Sequence, residues 1–262
     1  MKELFFLVLF CFFSIQATSG PLNNIEGGVI TNNITMNVPS EYLTVQEALS
    51  ALDDKKISVD ALVVIQIADG TYTNYDTIVI DNPYASRIQI LGNPTNSSYV
   101  NIEFKTDVDG FIVHSGTSLA HISGLTLVGS GTAYTNGIQV HTNSSLGCSN
   151  ISVSNFWTGY RAGSNSHITC SGANSSSNRA YGFAANQGSS MNVTNSVGSN
   201  NAVQGYAASK NSIITAYGST ITGNATAISV YEGGVVNAQN ATLSSNGTNY
   251  NVQDSVSYIR TQ

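Results

Sequence analysis

A small residue followed by a large apolar one returns at near-constant spacing along most of this chain, and that repeat constrains the fold more than any other feature. The small anchors are Gly110, Gly137, Gly159, Gly182, Gly205 and Ala227, separated by 27, 22, 23, 23 and 22 residues. The residue after each anchor is Phe111, Ile138, Tyr160, Phe183, Tyr206 or Ile228. Two positions later come Val113, Val140, Ala162, Ala185, Ala208 and Val230. Nine after the anchor come Leu119, Leu146, Ile168, Met191, Ile214 and Val236. Each unit holds short period-2 segments, apolar on one face and Ser, Thr or Asn on the other, which is strand patterning. Gly, Asn and Ser separate the segments and tolerate turn geometry. Short strands at a fixed period describe a coil stacked on itself, each apolar position about 4.8 Å above its counterpart.

Asparagine recurs as well. Asn155, Asn178 and Asn201 lie four residues before an anchor, and Asn224 lies three before Ala227. At fixed spacing, stacked turn asparagines can bond backbone and each other. We expect an asparagine ladder.

These repeats resemble the pectin-lyase-like right-handed parallel β-helix superfamily over roughly residues 40–255. They look most like the non-catalytic β-helix stretches of secreted bacterial surface proteins and phage tail proteins. The resemblance implies an all-β, right-handed parallel β-helix with a short N-terminal helical cap. It implies little about function, because this fold hosts lyases, hydrolases, esterases and inert stalks. Fibre-like members often trimerise, so a homotrimer is an expectation, although no coiled-coil heptad is visible.

The stretch before Gly110 reads as a cap followed by the first coils. Thr44 can cap a helix and Glu47 complete a capping box. Val45, Ala48, Leu49 and Leu52 then form one apolar stripe. Strands are expected at Leu62 to Ile67, Thr77 to Ile80 and Arg87 to Leu91, with a turn at Ala68-Asp69-Gly70-Thr71-Tyr72. This opening resembles that of pectinesterases, whose functional segments do not follow. The chain has no Gln-Asp-Thr, Asp-Phe-Ile-Phe-Gly or Gly-Arg-Pro-Trp stretch.

The N-terminus, MKELFFLVLFCFFSIQATSG, has the pattern of a signal peptide over residues 1–20, with small residues closing an apolar run. That run is short for a membrane span. The expected organisation is a signal peptide at 1–20, a polar lead-in at 21–39, a cap with first coils at 40–109, and regular coils at 110–262. The expected location is secreted, cell-surface or periplasmic, with no stable membrane span once the signal is removed. Cys148 and Cys170 occupy the same position in adjacent units. They can form a disulfide or pack as two buried thiols, and the thiol pair is the favoured expectation.

Charged residues make up only 9% of the chain, and the net charge is −6. No basic patch suggests nucleic acid as a partner. From Gly110 to Tyr231 there is no Asp or Glu, which removes the paired carboxylates of glycosidases from the repeats. Family lyases use Asp-bound calcium with an Arg or Lys base. Arg161, Arg179 and Lys210 have no acidic cluster beside them, so no metal or other cofactor is expected. Asp107 and Asp109 can face one way and form a carboxylate pair, but two solvated charges are the favoured reading. His114, His121, His141 and His167 lack an acidic partner in their own coils. His114 and His141 each lie four residues after an anchor and can stack.

One binding patch remains. Trp157, the only Trp, lies in a turn, with Arg161 just after the next anchor and Arg179 and Tyr181 in the following coil. Aromatic faces with guanidinium groups suit sugar or carboxylate recognition. The expected function is an exported structural or adhesive module that binds a glycan or another surface component. The alternative is a carbohydrate-active lyase or hydrolase with a site near the N-terminal acids.

Overall fold

The computed structural model describes residues 28–114, 116–131 and 134–261. The segment read as a signal peptide lies outside them. Strand after strand pairs with its equivalent one coil on, and every pairing among the described residues is parallel. One face is a ladder of ten strands, running from Ile34–Val38 through Val63–Ile67, Ile88–Leu91 and Ser118–Val128 to Tyr258–Arg260. A second face is an eight-stranded sheet from Ile78–Ile80 to Thr248–Val252. Shorter pairings, such as Gly70–Asn74 with Val100–Phe104 and Thr220–Thr222 with Thr242–Ser244, close the third side. The protein is a parallel β-solenoid of about ten turns with one short α-helix.

The register is the one the repeat requires. Phe111, Ile138, Tyr160, Phe183, Tyr206, Ile228 and Tyr250 lie on one another. Those from Phe111 to Ile228 are buried, and Tyr250 is exposed on the last coil. Tyr160 stacks on Phe183 at 5.0 Å and Phe183 on Tyr206 at 4.8 Å between ring centroids. Both spacings match the distance between adjacent parallel strands. Burial pushes the phenols of Tyr160 and Tyr206 far above their ordinary range, so both stay neutral inside the coil.

The anchors are small because the next coil's backbone occupies the space of a side chain. A Cβ on Gly110 would lie 2.2 Å from the Gly137 carbonyl oxygen, and one on Gly182 would lie 2.6 Å from that of Gly205.

The asparagine ladder exists, displaced by one rung from its expected start. Asn178 donates its backbone N–H and its side-chain amide to Asn201 Oδ1, at 3.0 and 3.1 Å. Asn201 does the same to Asn224, and Asn224 to Asn246. Asn155 is not a rung. It is exposed in a left-handed conformation (φ 62°), and Phe156 donates its N–H to Asn178 Oδ1 instead. The buried ring of Phe156 fills the space the missing amide leaves and meets Phe104 edge-on. A serine ladder runs at another corner, where Ser144, Ser166 and Ser189 each donate a backbone N–H to the hydroxyl of the serine one coil on.

At the N-terminal end, the helix Val45–Ser50 buries Val45, Ala48 and Leu49, with Leu52 just beyond it. It covers the open apolar end that every stacked coil leaves. Thr44 Oγ1 accepts from the Glu47 N–H at 3.0 Å. The Glu47 carboxylate accepts from the Leu43 N–H at 2.8 Å, one residue earlier than in a standard capping box. The lead-in contributes to the fold as well, because Ile34–Val38 is the first strand of the ten-strand ladder.

Cys148 and Cys170 form a disulfide, not the packed thiol pair favoured from sequence. They are in register in adjacent coils with Cα atoms 4.4 Å apart. Both side chains point inward, within bridging distance,. Such a bond points to an oxidising environment. Among the described residues, no helix is long and apolar enough to cross a membrane.

Candidate functional site: a cleft on the eight-stranded face

One outward row of the eight-stranded sheet runs Ile112, Gln139, Arg161, Ala184, Ala207, Ser229 and Asn251. Side chains shrink abruptly from Arg161 to Ala184 and Ala207. That drop leaves a depression of about 220 Å³. Ala184 and Ala207 form its floor, and Arg161 stands at one end. The neighbouring row on one side supplies Asn136, Thr158 and Tyr181. The other side supplies Asn186, Ser209 and Tyr231, and Trp157 and Tyr134 form an aromatic rim.

Trp157 and Tyr134 sit with ring centroids 4.2 Å apart, tilted by 53°, and Tyr134 is 81% exposed. Half-buried Trp157 and exposed Tyr134 together offer an apolar face with a polar edge,. The Tyr181 phenol is pushed above its ordinary range by burial and then by the charge of Tyr231 across the floor. Asn186 Oδ1 is buried, sits over Gly163 and has no hydrogen-bond partner. The lining holds no carboxylate, and Arg161 is its only full charge. No ion pair to Arg161 occurs among the described residues.

Beside Arg161 lies a second group of polar side chains. His141 meets His114 of the preceding coil edge-on, ring centroids 4.3 Å apart, so the expected stacking is present. His141 Nδ1 lies 2.9 Å from Thr142 Oγ1. Burial, His114 and Arg161 lower the proton affinity of His141, and Asp109 partly restores it.

Of the residues singled out from sequence, Trp157, Arg161 and Tyr181 line the cleft together. Arg179 is outside it, with its guanidinium donating to the Gly131 carbonyl. Asp107 and Asp109 are each held by a different partner on the following coil. Ser130 Oγ donates to Asp107 at 2.9 Å. Asn136 donates both its N–H and its side-chain amide to Asp109 Oδ1. Sequence reasoning missed Tyr134, Asn136, Asn186 and Tyr231. A signal for Tyr134 was present: it falls in the one 27-residue unit, whose extra length brings it over Trp157 of the next coil. Among the described residues, no group of three or more His, Cys, Asp or Glu side chains could hold a metal ion.

Together these features define a disulfide-linked parallel β-solenoid with one aromatic-rimmed, acid-free cleft among the described residues. Comparison with family models, curated proteins and solved structures finds no match.

Proposed function

We propose that this chain is an exported structural or adhesive module whose cleft binds a glycan or another surface component without cleaving it. The observation that carries the reading is the cleft lining: a rim of half-buried Trp157 and exposed Tyr134, hydroxyl and amide groups, one cation and no carboxylate. Aromatic faces pack against the C–H faces of sugar rings while amides and hydroxyls bond their hydroxyl groups. The volume is below the roughly 300–1,000 Å³ of a drug-sized site, which suits one or two sugar units of a longer chain lying across the sheet. Export is supported by the apolar N-terminal run and by the Cys148–Cys170 disulfide,. We further propose that the solenoid is right-handed and of the pectin-lyase-like kind. Parallel crossovers within one sheet are right-handed in nearly all proteins, and the helical cap before the first coils agrees with that kinship.

A panel of immobilised oligosaccharides tests the reading. Binding by the intact protein, weakened about tenfold (~1.4 kcal/mol) by Trp157→Ala, supports it. Release of unsaturated or reducing ends, lost on Asp107→Ala or Asp109→Ala, would overturn it in favour of an enzyme.

A further inference from the structure

We propose that the Arg161 end of the cleft, with the His114–His141 pair beside it, is an anion subsite that seats the acidic group of a carboxylated or sulfated sugar and holds it more tightly as the pH falls. The proposal rests on the carbohydrate reading of the cleft and adds the class of sugar and the control of its capture.

The starting observation is a lone guanidinium. Arg161 is exposed, has no ion pair among the described residues, and lines an acid-free depression. A planar guanidinium presents paired N–H donors that match a carboxylate or sulfate. Trp157 of the rim lies on the same coil as Arg161, so a ring stacked on Trp157 can direct its acidic substituent toward Arg161.

The second observation is what surrounds the guanidinium. His141 is one coil before Arg161 and two positions along the strand from Gln139, the direct neighbour of Arg161. The groups facing His141 are His114 and Asp109 from the preceding coil, Thr142 in the turn just after its strand and Arg161 from the following coil. Arg161 and Asp109 act on His141 with opposite signs. Asp109 Oδ1 is also occupied by Asn136. One proton added to His141 makes this patch more cationic. The imidazole is held below its usual proton affinity by burial, by His114 and by Arg161, so this proton arrives only on acidification. A bound anion favours the proton, and by linkage the proton favours the anion.

The test is calorimetric titration of the intact protein with three probes: a uronic acid oligosaccharide, a sulfated oligosaccharide and a neutral one. Each is measured at about pH 7.5 and about pH 5, on either side of the ordinary imidazole range. We expect at least one acidic probe to bind more tightly than the neutral one, with the ratio rising about fivefold on acidification, the effect of one added partly exposed charge pair. Which acidic probe responds identifies the acid group. Arg161→Gln should collapse the acidic-to-neutral ratio, and His141→Gln should remove its pH dependence. Equal affinity for acidic and neutral probes, or an acidic preference independent of pH in the unmodified protein, overturns the proposal while leaving the carbohydrate reading standing. Binding of none of the probes overturns both.

Discussion

Removal of one central rung of the asparagine ladder should cost far more than removal of the last rung. Asn201 is 1% exposed, and its side chain makes four hydrogen bonds. Its Oδ1 accepts from the Asn178 N–H and Nδ2, at 3.0 and 3.1 Å. Its Nδ2 donates to the Ser175 carbonyl and to Asn224 Oδ1, at 3.0 and 3.2 Å. In Asn201→Ala some partners keep other bonds. Asn178 Nδ2 retains Ser175 Oγ, and Asn224 Oδ1 retains the residue 201 N–H. The Asn178 N–H and the Ser175 carbonyl lose these partners in a dry interior. At about 1–3 kcal/mol for the N–H and less for the carbonyl, the expected loss is about 3 kcal/mol. Asn246 makes the same contacts to Asn224 but sits half-buried near the last coil. Water can replace it there, and Asn246→Ala should cost about 1 kcal/mol. Asn201→Asp keeps the shape but turns an acceptor toward two acceptors, so it should be at least as damaging as Ala at neutral pH. Burial raises the folded-state pKa of that carboxyl above its unfolded value. Its penalty is therefore present at neutral pH and fades as the pH falls toward about 4. Urea denaturation followed by far-ultraviolet circular dichroism measures all three. An Asn201→Ala cost no larger than that of Asn246→Ala would refute the ladder as a source of stability.

Three further outcomes are expected. Gly182→Ala should lower the unfolding free energy by about 2–3 kcal/mol, because its Cβ would lie 2.6 Å from the Gly205 carbonyl oxygen and backbone must move,; unchanged stability would show that the coils can separate freely. Cys148→Ser with Cys170→Ser should cost about 3 kcal/mol, the value for a closed loop of this order given their sequence separation of 22,, and a thiol count on the unreduced, denatured protein checks that the bond was present. His121 is held below the usual imidazole range by burial. Its contribution is present above the unfolded-state pKa and is lost as the pH falls, so stability measured down to about pH 5 should decline less in His121→Gln.

The inward ladders were legible in the sequence because stacking gives each inward position the same surroundings in every coil. The rows of Phe111, Val113 and Leu119 all recur at their expected places. The Asn155 exception shows where such reading stops. Spacing alone cannot distinguish a rung from an exposed left-handed turn residue beside a buried aromatic ring.

Outward positions answer to different physics. Their surroundings change from coil to coil with turn length and with the size of the side chain on the next strand. Trp157, Arg161 and Tyr181 could be named from composition, but only the register showed that Ala184 and Ala207 leave space between them. The longer unit that lifts Tyr134 over Trp157 was visible as a spacing, though its direction was not. Arg179 has the same chemistry as Arg161 and lies close in sequence, yet the fold turns it to Gly131. The sequence by itself determined the coil, most of its interior and the absence of acids from the repeats, because a period of mostly 22 to 23 residues stacks equivalent buried side chains from coil to coil,. Only the tertiary structure decided which surface groups meet. A cleft between stacked coils is made by neighbours far apart in the chain, and no local pattern encodes their convergence.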